Sequence, residues 1–205
     1  FILINSKQEF IDTLKKIEIE IIENSFTLIH LSIHGSSELD GVISSNGELI
    51  TWDEIKVYTR KINIKIKDKL FIVIASCFGK YIGEKVDLNN KSPFRAIIAS
   101  KYEVYSSNIY SIFHEFYQSL LYENDIINSF NKIKDNQDIF FYSDTYDALK
   151  KAFEKFIKER ETKLPTLYKE YLLETKESMC FEDYKIINNK TIPELLEMIK
   201  LKFII

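Results

Sequence analysis

The feature that most constrains the fold is a pair of apolar runs, each ending in a reactive side chain with a glycine close behind it. The first is Ile29–Gly35, which carries His34, and the second is Leu70–Gly79, which carries Cys77. Continuous apolar runs are typical of strands buried in a parallel sheet. Ligands bind just beyond the carboxyl ends of such strands. The sequence therefore predicts a base, His34, beside a nucleophile, Cys77.

Strand and helix signals alternate over residues 1–142. The predicted strands are Phe1–Asn5, Phe26–Ile33, Leu70–Ala75, Arg95–Ala99 and Ile139–Tyr142. The predicted helices run from Ser6 to about Asn24, from Thr51 to about Ile62, and over Ile109–Lys132. Asn46-Gly47 predicts a tight hairpin after His34. This alternation predicts an α/β domain of three layers around a mainly parallel sheet.

Residues 143–205 carry helical signals alone. The predicted helices are Tyr146–Lys163, Leu167–Leu173 and a last one capped at Thr191. The segment is too apolar for a loose tail, so we expect a helical extension that packs on the domain formed by 1–142. A regulatory or docking role would suit such an element.

Composition limits the classes of partner. The 28 basic and 31 acidic residues are mixed along the chain, and the net charge is −3. Without a block of Lys or Arg, neither nucleic acid nor an anionic membrane is an expected partner. No signal peptide and no apolar stretch of membrane-spanning length is evident, so we expect a soluble protein. The chain begins at Phe1 rather than Met, which is compatible with a missing upstream segment.

Cysteine usage points to free thiols. The two cysteines, Cys77 and Cys180, are too few for a disulfide scaffold, and a reducing cytoplasm would suit them. No Cys/His spacing resembles a structural zinc site, so neither a metal nor another cofactor is predicted.

The order of residues at the two strand ends suits cysteine hydrolase chemistry. His34 would take the proton of Cys77 and later protonate a leaving amine. The backbone N–H groups of Gly35 and Cys77 would form the oxyanion hole. In the alternative interpretation, Cys77 is a small core residue and His34 an ordinary turn residue.

The other histidines and the second cysteine are interpreted as structural. His30 lies in the middle of a predicted strand and is expected to be a packed histidine. His114 lies on the predicted long helix and is expected to be structural too. Cys180 lies between helical segments with no histidine nearby, so it is not a predicted nucleophile.

These residues resemble the caspase-like clan of cysteine peptidases, most closely the bacterial CHAT-like and caspase-like domains. The clan's signature is an apolar strand ending in His-Gly, followed by one ending in Cys, and the resemblance covers roughly 1–142. It implies a three-layer caspase-like fold, a His34–Cys77 dyad, oxyanion donors at Gly35 and Cys77, and a protein or peptide substrate without a cofactor. Many bacterial relatives act as regulated effectors in antiviral defence or programmed death, which implies such a role and a regulatory partner here.

The substrate pocket departs from the better-known members of the clan. The run Ala75–Gly79 lacks the glutamine that helps caspases to bind aspartate, and it also lacks the acids of metacaspases. The resemblance therefore assigns no specificity. The candidate pocket residues are Asp40, Ser76, Lys101 and Glu103, of which Lys101 would favour an acidic substrate residue and Glu103 a basic one. Solvated loop charges are the alternative interpretation.

Two rival functions stay open at this point. The first is an inactive caspase-like scaffold or binding module that keeps both dyad residues. The second is a non-peptidase α/β domain that binds a small ligand at its strand ends. The chain has no Gly-x-Gly-x-x-Gly or Walker loop, which argues against a nucleotide as that ligand.

Overall fold

The structure, a computed structural model, describes residues 2–83, 90–134, 138–175 and 179–203. The strands are β1 (Thr27–Ser32), β2 (His34–Gly35), β3 (Gly41–Ile43), β4 (Leu49–Thr51), β5 (Leu70–Ala75), β6 (Ala96–Ser100) and β7 (Phe140–Asp144). The helices are α1 (Lys7–Glu20), α2 (Trp52–Lys65), α3 (Ser106–Glu123), α4 (Ile126–Lys134), α5 (Thr145–Thr175) and α6 (Phe181–Phe203), and Gly79–Gly83 forms a 3-10 turn.

A central sheet of four strands has the order β1-β5-β6-β7. The pairs β1–β5 and β5–β6 are parallel, and β7 is antiparallel to β6. The predicted fold class is therefore confirmed: the chain is α/β, its sheet is mainly parallel, and its C-terminal part is helical.

The two faces of this sheet pack on different helices. The even-numbered residues of Leu70–Ala75 lie in one apolar core with side chains of α1 and α2. The odd-numbered residues lie in a second core with side chains of α3 and α4. Successive side chains of a strand point to opposite faces, and both faces are apolar here, so the sheet is buried between two helical layers. These are the three layers that the sequence predicts.

A second, smaller sheet follows β1 directly and has the order β2-β3-β4. Its β3–β4 hairpin turns through Gly47, whose φ of +85° lies in the left-handed region that glycine adopts without strain. The hairpin predicted from Asn46-Gly47 is confirmed. Thr51 then starts α2 with a complete capping box, because its hydroxyl accepts from the Glu54 N–H and the Glu54 carboxylate accepts from the Thr51 N–H.

Three predicted boundaries near the N-terminal and middle helices are wrong. Residues 2–5 form no strand, and the first helix ends at Glu20 rather than near Asn24. The single helix predicted over Ile109–Lys132 is two helices. They separate at Asn124, which takes a left-handed backbone (φ 52°) and donates its N–H to the Leu120 carbonyl. Asparagine tolerates this conformation better than most residues, and it ends the helix.

The predicted breaks in the C-terminal part are also wrong. Helix α5 runs through Pro165, although a proline in a helix interior removes one hydrogen bond. The neighbouring Leu164 is buried, and that packing favours a continuous helix. Helix α6 begins at Phe181, well before Thr191. The Thr191 hydroxyl donates to the Asn188 carbonyl one turn back, so it bonds within the helix instead of capping it.

The helical C-terminal part contacts the rest of the chain at its two ends, the start of α5 and the end of α6. Helix α5 continues β7 without a loop, and β7 itself extends to Asp144, past the predicted boundary at residue 142. At the end of α6, the carbonyl of buried Phe203 accepts the N–H of Ser92, which lies just before β6. No helix in the described ranges has both the length and the apolar content to cross a bilayer.

Candidate active site

The register between β1 and β5 brings the two predicted dyad positions to the same edge of the sheet. Each residue of β1 pairs with the β5 residue 43 positions later, up to Ser32 with Ala75. Cys77 is likewise 43 positions after His34. Each of them lies two residues beyond the last pair of two adjacent parallel strands. The segments that carry His34 and Cys77 therefore leave the sheet at the same edge.

The backbone of Gly35 packs directly against Cys77. A Cβ placed on Gly35 would lie 2.2 Å from the Cys77 carbonyl oxygen and 3.2 Å from the Cys77 Cβ. Real Cβ atoms do not approach a backbone oxygen so closely, so this position requires glycine. The contact joins the segment that carries His34 to the segment that carries Cys77.

The hydrogen-bond pattern of the small sheet orients the Gly35 amide. The Ser36 N–H donates to the Gly41 carbonyl at 2.9 Å, and Gly35 pairs with Val42 in the same ladder. Hydrogen-bonded and non-bonded pairs alternate in an antiparallel ladder. The N–H of Gly35 therefore points away from β3. In the part of the chain that is described, the N–H of Cys77 donates no hydrogen bond, so neither predicted oxyanion donor is used by the strands.

The sulfur of Cys77 is half-buried and has a backbone donor beside it. The Val104 N–H approaches Cys77 Sγ at 3.5 Å, and the Val104 carbonyl oxygen lies 3.9 Å from the same sulfur. An N–H aimed at the sulfur stabilises a negative charge there. The loop that follows β6 therefore contributes directly to the surroundings of Cys77.

The backbone of His34 is fixed in the small sheet, whereas its side chain is exposed. Its main chain pairs with Ile43, and its imidazole is open to solvent. The loop beyond it is fastened to the start of α2, because the Trp52 indole N–H donates to the Leu39 carbonyl at 2.9 Å and the Trp52 backbone N–H donates to the Asp40 carbonyl. These bonds fix the loop that follows the strand, and the imidazole of His34 stays accessible to solvent.

The four candidate pocket residues have different surroundings. Ser76 is 2% exposed, and its hydroxyl has no hydrogen-bond partner among the described residues. Lys101 forms an ion pair with Asp138, so much of its charge is already balanced. Glu103 and Asp40 are exposed. Their roles in substrate binding stay predictions.

Ser100 lies beside Cys77 in the fold, and the sequence alone did not single it out as a site residue. It ends β6, it is fully buried, and its hydroxyl donates to the Ser76 carbonyl while it accepts the Gly79 N–H at 3.0 Å. The available signal was a polar residue directly after the apolar run of β6, which is the same signal that singled out His34 and Cys77.

The other histidines and the second cysteine have contacts of their own. His30 is a packed histidine, as predicted: its Nδ1 lies 2.6 Å from the Tyr117 hydroxyl, and its ring meets Phe113 edge-on. His114 is exposed and stacks on Tyr110. Cys180 is exposed, and its thiol donates to a carboxylate oxygen of Asp183 at 3.0 Å.

Burial of His30 makes stability depend on pH. Desolvation lowers the pKa of His30 to about 4 from its ordinary value of 6.5, and it raises the pKa of Tyr117, so both groups are neutral near pH 7. The unfolded chain binds this proton near pH 6.5 and the folded protein only near pH 4. The contribution of neutral, buried His30 to the free energy of unfolding is therefore complete above about pH 6.5 and is lost as the pH falls toward 4.

We expect the free energy of unfolding to drop by about 1–2 kcal/mol between about pH 7 and pH 5 because of His30, after allowance for its partial exposure. Urea unfolding at both pH values measures the drop, and the variant His30→Leu removes that part of it. His114→Leu is the matched control and retains the full drop. Equal pH dependence in both variants would show that His30 is not the group responsible.

Metal ligands are not grouped at this site. Over the described ranges, no three His, Cys, Asp or Glu side chains come together in a way that would hold a metal ion. The contact between Gly35 and Cys77 joins two segments that together carry a thiol, an imidazole and backbone N–H donors. This set can perform nucleophilic attack, proton transfer and oxyanion stabilisation.

No protein-family model matches this chain, and no curated protein matches it.

Proposed function

We propose that the chain is a cysteine endopeptidase that cleaves peptide bonds with a His34–Cys77 dyad. The observation that carries the proposal is the contact between Gly35 and Cys77, at the shared edge of two adjacent parallel strands. This contact supports the proposal because it joins the segment that carries His34 to the segment that carries Cys77. A half-buried thiol with a backbone N–H beside it, and an exposed imidazole on the adjoining segment, suit acyl transfer.

The acylation half of the reaction uses all four groups. His34 takes the proton of the Cys77 thiol, and the thiolate attacks the carbonyl carbon of the scissile peptide bond. The electron pair of the C=O bond moves to oxygen, where the N–H groups of Gly35 and Cys77 stabilise the negative charge. As the C–N bond breaks, the imidazolium of His34 gives its proton to the leaving amine, and a thioester on Cys77 remains.

Deacylation returns the site to its starting state. His34 takes a proton from a water molecule, and the resulting hydroxide attacks the thioester carbonyl. The same two N–H groups stabilise the second oxyanion. The C–S bond then breaks, the carboxylic acid product leaves, and the thiolate of Cys77 is reprotonated by His34.

The resemblance to caspase-like peptidases also suggests a substrate class, a compartment and a cellular role. We infer a protein or peptide substrate in a reducing compartment such as the cytoplasm, and a role as a regulated bacterial effector in antiviral defence or programmed death. The helical part beyond β7 would be the element that a regulatory partner contacts. Support for this extension comes from the residues at the two strand ends.

An inactive caspase-like binding module is the second candidate. It is favoured by the half-burial of Cys77 and by the contacts of its sulfur with the Val104 backbone. In such a module these contacts would hold the thiol as a core group.

A peptide library separates the two candidates. We expect the wild-type chain to cleave a subset of peptides, Cys77→Ala to cleave none of them, and Cys180→Ser to cleave the same set as the wild type. Mass spectrometry of the digests identifies the cleaved bonds. Failure of the wild type to cleave any peptide would favour the binding module, and cleavage that persists in Cys77→Ala would contradict the assigned nucleophile.

A further inference from the structure

We propose that Ser100 is a positioning residue, whose hydroxyl holds the turn Ser76–Gly79 so that Cys77 faces His34. The inference rests on the proposed function, because it gives Ser100 a role in the reactivity of Cys77. The hydrogen bonds of the Ser100 hydroxyl go to the Ser76 carbonyl and the Gly79 N–H, on either side of Cys77.

The Ser100 hydroxyl closes both ends of this turn at once. It donates to the carbonyl of Ser76, before the nucleophile, and it accepts the N–H of Gly79, after it. A hydroxyl is the smallest side-chain group that can donate and accept in this way. Since Ser100 is the last residue of the buried strand β6, the turn is fastened to a rigid part of the fold.

The turn needs such a fastening because its backbone is strained. Phe78, directly after the nucleophile, has a φ of 56°, which is the left-handed region that non-glycine residues adopt at a cost of about 1 kcal/mol. Gly79 packs so tightly on β5 that an added Cβ would lie 2.8 Å from Ile74 Cγ2. Strain of this kind persists only where surrounding contacts hold it.

The residues after Ser100 continue the same set of contacts. The Tyr102 carbonyl accepts the N–H of Phe78 at 3.0 Å, and the Val104 N–H approaches the Cys77 sulfur at 3.5 Å. The segment Ser100–Val104 therefore meets the turn at three successive points. Ser100 is the one of the three that acts through its side chain, so a substitution can remove it.

The test is the rate at which iodoacetamide alkylates Cys77 in a Cys180→Ser background. We expect Ser100→Ala to lower this rate about tenfold. Ser129→Ala is the matched control: Ser129 is equally buried and its hydroxyl also donates to a backbone carbonyl, that of Asp125, but it lies on α4. The control should react within twofold of the background protein at a similar loss of melting temperature.

A double-mutant cycle with His34→Ala distinguishes positioning from general destabilisation. If Ser100 aligns Cys77 with His34, Ser100→Ala has less than a twofold effect once His34 is absent. An undiminished tenfold effect in that background, or an unchanged rate for the single variant Ser100→Ala, would overturn the inference. A different result would contradict the proposed function itself: Cys77 of the folded Cys180→Ser protein reacting no faster than Cys77 of the same protein unfolded in urea.

Discussion

Replacement of Gly35 by alanine is expected to abolish the reactivity of Cys77 and to lower the free energy of unfolding by about 3 kcal/mol. The new methyl group would lie 2.2 Å from the carbonyl oxygen of Cys77, which is backbone and has no rotamer to change. One of the two segments must move away. Either movement would separate the segments that carry His34 and Cys77 and would displace the N–H groups of Gly35 and Cys77.

Gly83→Ala is the matched control for this substitution. Among the residues that the structure describes, no heavy atom lies within 4 Å of a Cβ placed on Gly83, so the free energy of unfolding should change by less than about 0.5 kcal/mol. Urea unfolding gives the stability of both variants, and alkylation gives the reactivity of Cys77. A Gly35→Ala protein with wild-type stability and reactivity would show that the two segments are not in contact.

The variant His34→Ala should lose peptide hydrolysis about 1,000-fold and retain its fold. Without the imidazole, no group takes the thiol proton during attack and none protonates the leaving amine. The side chain is exposed, so its removal should change the free energy of unfolding by less than about 0.5 kcal/mol. Turnover of the best library peptide measures the loss.

His114→Ala supplies the comparison for His34. His114 is also an exposed imidazole, but it lies on α3 and stacks on Tyr110. Its removal should leave turnover within twofold of the wild type. Equal turnover by the wild type and His34→Ala would exclude His34 as the base, whatever the behaviour of Cys77.

The sheet and the juxtaposition of the dyad segments were predictable because they follow from local signals. An apolar run of six residues such as Leu70–Ala75 indicates a buried strand. Two parallel neighbours bring whatever follows them to one edge of the sheet. These two rules were enough to predict that the segments with His34 and Cys77 meet at one edge, and Asn46-Gly47 was enough to predict the small hairpin.

Other features depend on contacts between distant residues, which one sequence does not reveal. Ser100 reaches back to a turn more than twenty positions earlier, and Lys101 pairs with Asp138. The continuity of α5 through Pro165 also depends on packing that the sequence does not reveal. Local preference predicts a break at this proline, and burial of Leu164 outweighs it.

The most direct test of the dyad compares the two thiols of the wild-type protein. Cys180 is exposed and Cys77 is half-buried, so accessibility alone would make Cys180 react first. Peptide mapping after brief treatment with iodoacetamide measures both rates in one sample. The dyad predicts that Cys77 reacts at least about tenfold faster than Cys180, because His34 would take the proton of the Cys77 thiol during the attack. Modification of Cys180 alone, with Cys77 reacting only after unfolding, would contradict it.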